Sequence, residues 1–519
     1  MANKSVFATI KGRLLPRTDA KNHENAPAYQ LTPHQALAQM AATGTFNATF
    51  YADAREQLDE VLALAWQVEP DFVAKTAVYA AERGYMKDMP ALLLSVLSAM
   101  QGDEFNRAFP RIVRNGRMLR NFVQIMRSGA TGRKSLGTRP KRFVQGWLEN
   151  AADMQIMRAA VGNDPSLADI IKMVHPKPKS ASREALYGYL IGKPHDVVAL
   201  PGVVKAFEAF KQDASQPVPD VPFQMLTSAP LTREHWVQIA KMAGWQMLRQ
   251  NLNTFARHGV FEVEGFAETL AKRLSDPEEI RQARVFPYQL MVAFTMADKG
   301  VPEIVRDALQ DAMEIALANV PQVDGRVVVC PDVSGSMASP VTGFRPGATS
   351  AVRCIDVAAL VAAAILRRNP TARVLPFEND VVDIRLNGRD SVMTNAQKLA
   401  AIGGGGTNCS APLGRLVREK AKVDLVVFVS DNQSWVDAKT YAHEGTGMMQ
   451  EWVKLKGINP QAKLVCIDIQ PYATVQAKGN ADILNVGGFS DRVFDVIGSM
   501  LESGNDPDHW VKTIEAMEL

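Results

Sequence analysis

The stretch RVVVCPDVSGS, residues 326–336, decides how the second part of the chain is read. Residues 326–330 are a short β-branched run stopped by Pro331, which predicts a buried strand rather than a helix. Asp332-Val333-Ser334-Gly335-Ser336 then sets one carboxylate and two hydroxyls on a tight loop at the strand's carboxyl end, where open α/β sheets bind ligands. Gly335 lets that loop curl. Hard oxygen donors of this kind suit magnesium better than zinc or copper.

One loop cannot complete an octahedral shell, so more donors must come from loops after later strands. The sequence supplies two such loops. The glycine run 403–406 leads to Thr407, and the apolar run 426–429 ends in Ser430-Asp431. The expected ligands are therefore Asp332, Ser334, Ser336, Thr407 and Asp431, around a divalent ion, magnesium for preference. Turn capping by Asp332 and the serines is the plain structural alternative. It explains neither the glycine–threonine loop nor Ser430-Asp431. A phosphate-cradling role for 403–407 lacks the G-x-x-x-x-G-K-[ST] pattern, and residues 129–135 follow a helical segment without a Gly-Lys pair.

Working outward, residues 326–330, 373–377, 424–430, 463–469 and 482–486 read as strands, with helices at 356–368, 410–420 and 491–501. That alternation predicts a doubly wound, mostly parallel sheet, with 381–384 as an antiparallel edge strand. Before Val320-Pro321 the spacing is helical from about 34 to 319: Leu58, Val61, Leu62 and Ala65 form one face, and Val73, Ala77, Ala80 and Ala81 open another. Breaks fall at Glu69-Pro70, Gly102-Asp103, Asp164-Pro165, Lys193-Pro194 and 216–222. Stacked antiparallel helix pairs are the economical architecture, and the lack of a strict period favours HEAT-like pairs. The expected division is 1–322, all-α helical repeat, and 323–519, α/β.

With 519 residues the chain exceeds one hydrophobic core, and 47% apolar with 22% charged residues reads as soluble and globular. The longest apolar run, 357–366, lies between Asp356 and Arg367 and is too short to span a bilayer. Residues 1–16 lack the apolar block of a secretory signal, so a cytoplasmic location is expected. Cys330, Cys354, Cys409 and Cys466 are singletons, which argues against a disulfide framework or a cysteine-rich zinc site.

A net charge of +3 does not by itself point to nucleic acid, but its distribution does. Between Phe105 and Leu148 there are Arg107, Arg111, Arg114, Arg117, Arg120, Arg127, Arg133, Lys134, Arg139, Lys141 and Arg142, and no acidic residue. The spacing of Arg111, Arg114 and Arg117 suggests a shared helix face, and phosphate is the natural partner of a guanidinium array. A second cluster holds Lys172, His175, Lys177 and Lys179 at a helix end, and Arg249 and Arg257 lie further on. A solvated cationic face is the ordinary alternative for this second cluster. His235 and His258 read as packing or surface residues.

Helical repeats with a basic stretch, joined to the D-x-S-x-S domain, resemble the TROVE-module proteins of the Ro autoantigen family, which end in a von Willebrand factor A domain with a metal-ion-dependent adhesion site. The shared words are Gly129, Gly132-Arg133 and Trp147; Asp169 through His175-Pro176-Lys177-Pro178; and Leu248-Arg249-Gln250-Asn251-Leu252, where Gln250 interrupts the family's R-N-L. The resemblance implies a ring of HEAT-like repeats closed by the A domain, with single-stranded 3′ ends of misfolded small RNAs in a basic hole and Y RNA on the outer surface. It further implies RNA quality control with an exoribonuclease, polynucleotide phosphorylase, and a metal shell completed by an acidic group of a partner. The expected protein is a monomer that binds RNA without chemistry of its own. A metal-dependent protein-interaction scaffold without RNA is the alternative, and a metal-dependent nuclease at Asp332 and Asp431 a more distant one.

Overall fold

A continuous apolar run is buried on both sides only when helices cover both faces of its sheet. The structure is a computed structural model that describes residues 15–43, 46–283, 285, 287–317, 320–344, 352–438, 445–488, 494, 497–498, 506 and 508–519. Its described strands are β1 (Ala20–Lys21), β2 (Pro27–Gln30), β3 (Val327–Pro331), β4 (Arg373–Val374), β5 (Leu425–Ser430), β6 (Lys463–Asp468), β7 (Thr474–Val475) and β8 (Ile483–Gly487). Five of them form one sheet in the order β4-β3-β5-β6-β8, every pair parallel. All five residues of β3 and all six of β5 are buried.

One face of this sheet contributes Val328, Cys330, Val426, Phe428, Leu464, Cys466 and Ile483 to a core shared with Leu413, Leu416, Met448, Met449, Trp452 and Leu455. Those side chains come from the helices Ala411–Arg418 and Gly447–Ile458. The helix Cys354–Arg368 lies against β3 and β5 and against the helix Val392–Ala400, which explains why its long apolar run is buried almost all round. All four cysteines are buried and unpaired. They fill core space as small apolar groups.

The expected edge strand at 381–384 is reduced to a single bridge between Phe377 and Val381. Asp380 turns its carboxylate onto the Val381 amide, so the chain leaves the sheet in a turn. Most of the helix expected at 491–501 lies outside the described residues. Two elements not foreseen, β1 and β2, form a hairpin whose second strand pairs antiparallel with β7: Tyr29 opposes Val475 and Gln30 opposes Thr474.

The change of pattern near Gln322 marks where the strands of the parallel sheet begin, but compactness divides the chain differently. One unit comprises 1–68, 284–292 and 310–516, and the other 69–283, 293–309 and 517–519. In the first, the N-terminal hairpin and the helices Pro33–Thr43 and Ala54–Ala65 fold with the α/β sheet. The helix Pro33–Thr43 packs on β8, and the indole of Trp510 donates to the Ala38 carbonyl.

The second unit is helical. Pro70–Glu82 packs on Asp88–Leu97 and Glu104–Ile112; Asp88–Leu97 packs on Gly116–Ser128; and Leu167–Val174 packs on Gly116–Ser128, Thr138–Asn150 and Ala181–Ile191. Packing between elements close in sequence is the signature of stacked helical repeats. Among the described residues no helix is long and apolar enough to cross a membrane.

Candidate functional site

Two places in the molecule concentrate chemistry, and they are built in opposite ways. The first stands at the carboxyl ends of β3 and β5. The parallel ladder continues one residue beyond β3, with the Asp332 amide donating to the Val429 carbonyl at 2.9 Å and the Val333 amide to Phe377 at 2.9 Å. The loop is then tied across to the glycine run: Gly404 N donates to Val333 O and Gly335 N to Gly405 O, both at 3.0 Å. Gly404 and Gly405 hold φ of +132° and +67°, values that a side chain would resist.

This scaffold brings all five expected ligands together. Asp332, Ser334, Ser336, Thr407 and Asp431 are each 5% exposed or less. Thr407 Oγ1 donates to Ser334 Oγ at 3.0 Å, Ser334 Oγ lies 3.3 Å from Ser336 Oγ, and the Ser336 hydroxyl faces Asp431. Asp332 is aimed by two donors, the Ser334 amide at 2.8 Å and the Ser430 hydroxyl at 2.6 Å. Burial pushes both carboxyls above the usual range, and Asp332 raises Asp431 further. Among the described residues neither aspartate has an ion-pair partner. Buried carboxylates without a countercharge are costly, and three converging hydroxyls supply the hard donors that a divalent cation needs. The residue set therefore fits a magnesium-type ion.

The second place lies in the helical unit. Arg127, Lys134, Lys141 and Arg142 line an open cavity of about 650 Å³ together with Gln145, Leu136 and Met173. It forms where the helix Gly116–Ser128 ends in left-handed Gly129 and the chain turns back into the helix Thr138–Asn150. The side chain of Gln145 donates to the Val174 carbonyl, fixing the end of the helix Leu167–Val174 beside it. Among the described residues no acid lies within ion-pair reach of the four cationic groups, although Arg127 and Lys172 both act on the Asp169 carboxylate from a distance.

The other basic residues divide. Arg111 pairs with Glu82 at 2.7 Å, and Arg114 pairs with the same carboxylate. Arg120 caps the carbonyls of Ala159 and Val161, and burial lowers its pKa. Arg139 reaches the carbonyls of Leu97, Ser98, Met100 and Gly102 and lies over the Phe105 ring at 5.1 Å. Arg249 is buried and bonded to Gln246. Arg107, Arg117 and Arg133 are exposed, as are Lys177 and Lys179, along with Lys172 and His175 at the end of their helix; Lys179 bonds Asn150 and the Lys177 amide bonds Glu149.

The shared helix face expected for Arg111, Arg114 and Arg117 is corrected. Arg111 ends the helix Glu104–Ile112, Arg114 lies in the link, and Arg117 starts the helix Gly116–Ser128. The break is made by Asn115, whose side chain caps the second helix at Met118 N. His235 and His258 serve packing, His258 stacking on Trp236 at 4.3 Å and His235 edge-on to Phe210.

Residues 326–501 match the family model described as the Ro60 vWA domain. Over these residues the chain is similar to a Ro60 vWA domain. Similarity to Ro proteins runs beyond it. The chain is 25% identical to the RNA-binding protein RO60 of Deinococcus radiodurans over 92% of its own length and 94% of that protein. It is 23% identical to the RNA-binding protein RO60 of Caenorhabditis elegans over 44% of this chain and 36% of that one. The crystal structure of the Deinococcus radiodurans RO (RSR) protein shares the fold, with a TM-score of 0.58 and 22% identity over 91% of this chain and 99% of that chain.

Around the oxygen cluster stand groups that no motif announced. Ser430 holds Asp332, and Asn432 donates to Asp468 at 3.0 Å. From the N-terminal hairpin, Asn22 donates to the Ser434 carbonyl at 2.7 Å and the His23 amide to Gln433 at 2.9 Å. The serine–aspartate pair after β5 gave a hint of the first; nothing in the sequence pointed to the hairpin.

Proposed function

We propose that the chain is a non-catalytic RNA-binding protein of the Ro type whose phosphate-contacting surface is centred on Arg127, Lys134, Lys141 and Arg142. The observation that carries this reading is a cavity lined by four cationic side chains that makes no demand on any acid among the described residues. Its apolar floor, Leu136 and Met173, gives a base something to lie on, which favours unpaired nucleotides over a duplex. The name of the Deinococcus radiodurans relative supports the same class of ligand. Arg133, Lys172, His175, Lys177 and Lys179 extend the surface, whereas Arg111, Arg114, Arg120, Arg139 and Arg249 hold the helices that present it.

Within that reading, the ligands are small RNAs, both the 3′ ends of misfolded species and Y RNA, and an exoribonuclease of the polynucleotide phosphorylase type is the protein partner. The Ro60 vWA domain would hold a magnesium ion through Ser334, Ser336 and Thr407, with Asp332 and Asp431 countering its charge. When bound, the ion offers a Lewis-acid site for an acidic group, and the hydroxyl-rich shell suits docking that group better than activating water.

The test is fluorescence anisotropy with labelled single-stranded RNA across a salt series. Reversing all four cavity residues to Glu is expected to flatten the dependence of log affinity on log salt by about 0.7 for each phosphate that is no longer neutralised. An unchanged slope would move the RNA surface elsewhere.

A further inference from the structure

The oxygen cluster has a roof, and the roof comes from the N-terminal part of the same compact unit. Tyr51 presents its hydroxyl to Ser336 and lies within electrostatic reach of Asp431 and Asp332. The five oxygen-bearing residues are buried, whereas Tyr51, bonded to the edge of the cluster, keeps part of its surface exposed. Its ring is stacked on His23 at 6.0 Å and meets Tyr472 edge-on at 6.1 Å. His23 meets Tyr472 in turn at 4.7 Å, closing a triangle of rings.

Two corners of the triangle are anchored to the surrounding chain. The His23 amide is bonded to Gln433, next to the Asp431 loop. The Tyr472 hydroxyl lies 3.1 Å from Thr49 Oγ1, which also accepts from Gln57 at 3.0 Å. Asp53 caps the helix Ala54–Ala65 with a reciprocal bond from Glu56. Tyr51 therefore sits in the turn Thr49–Ala52, which is closed by the Thr49 amide on the Ala52 carbonyl at 2.8 Å and by the Ala52 amide on Thr49 Oγ1 at 3.3 Å, and Phe50 beside it is exposed. With the turn backbone tied, the part of Tyr51 that can move is its side chain, by rotation about χ1.

Resting on the metal reading above, we infer that Tyr51 is a lid over the cation centre, keeping an external carboxylate from the ion until the Tyr51 ring swings aside. The phenol is neutral and hydrogen-bonds to a ligand hydroxyl, so it satisfies the polar rim without adding charge. A carboxylate arriving at the ion must take the space the phenol fills. The site is thereby selective for a partner able to displace the ring, such as an acidic side chain carried on an apolar surface that accepts Phe50 and Tyr51.

The full-length protein loaded with Mn²⁺ tests this through water-proton relaxation, which reports exchangeable water on the ion, with acetate as the carboxylate probe. The wild type is expected to show little exchangeable water and no response to acetate. Tyr51→Ala is expected to raise the relaxation severalfold and to let acetate reverse the rise, with thermal melting confirming that the variant is folded. A wild type that already responds to acetate overturns the lid, whatever the variant does. So does a folded Tyr51→Ala that matches the wild type. If the wild type and Asp332→Ala bind Mn²⁺ equally, the metal reading itself fails and the lid falls with it.

Discussion

The oxygen cluster and the basic cavity are mirror images in how they handle charge. At the ends of β3 and β5 two carboxylates are buried without an ion-pair partner among the described residues, and two donors fix Asp332 in place. In the helical unit four cations are left at an open surface without an acid among the described residues. The first arrangement is costly until a small ion arrives, because desolvation is severe and geometry is fixed. The second costs little at rest, because water solvates each group, and it suits a ligand that brings many phosphates in variable positions. Burial thus selects for a single ion of defined coordination, and exposure for a polyanion.

The largest effect that would break this comparison is on RNA. Reversal of Arg127, Lys134, Lys141 and Arg142 is expected to weaken binding by at least about a hundredfold near physiological salt, read by the same anisotropy titration. Next comes the response of the oxygen cluster to pH. Folding raises the pKa of Asp332 and Asp431, so the folded state binds more protons than the unfolded one from the ordinary carboxylate range upward. Stability from this site is therefore full in acid and declines as pH rises, in the absence of metal. Magnesium requires the deprotonated forms, so the gain in melting temperature on adding it is expected to be larger at about pH 8 than at about pH 5.5. Asp431→Asn should stabilise the metal-free protein at the higher pH by about 1–2 kcal/mol and abolish the magnesium-dependent gain. A variant that keeps the gain would remove Asp431 from the centre.

Smaller effects sharpen the division among the arginines. Arg139→Ala removes the bonds to four carbonyls and the packing on the Phe105 ring, and is expected to cost about 2 kcal/mol in urea denaturation while leaving the RNA salt slope unchanged. A changed slope would return Arg139 to the RNA surface. Arg114→Ala breaks a pair whose arginine is 56% exposed, and is expected to cost about 0.5 kcal/mol or less by the same measurement.

The clustering of the five oxygen-bearing residues was legible because each follows directly from the end of a strand or from a glycine run that can reach one, and strand ends in a parallel sheet converge by construction. Asp332, Thr407 and Asp431 needed only the order of elements to be placed together. The arginines were not separable by sequence, because what distinguishes Arg139 from Arg142 is a set of helix-end carbonyls at 97–102, and what occupies Arg111 is Glu82 from another helix. An acid-free stretch says nothing about acids folded against it. Tyr51 was beyond reach for the same reason: its role is set by a hairpin and a loop that meet it only in three dimensions.

The hairpin β1–β2 has a consequence for how the chain is made. Gln30 donates to the carbonyl of Ala473, 443 positions later. On the ribosome, β2 must wait with its edge unsatisfied and Tyr29 uncovered until β7 has been synthesised. Pairing of β2 with β7 is thus a long-range closure of the kind that slows folding.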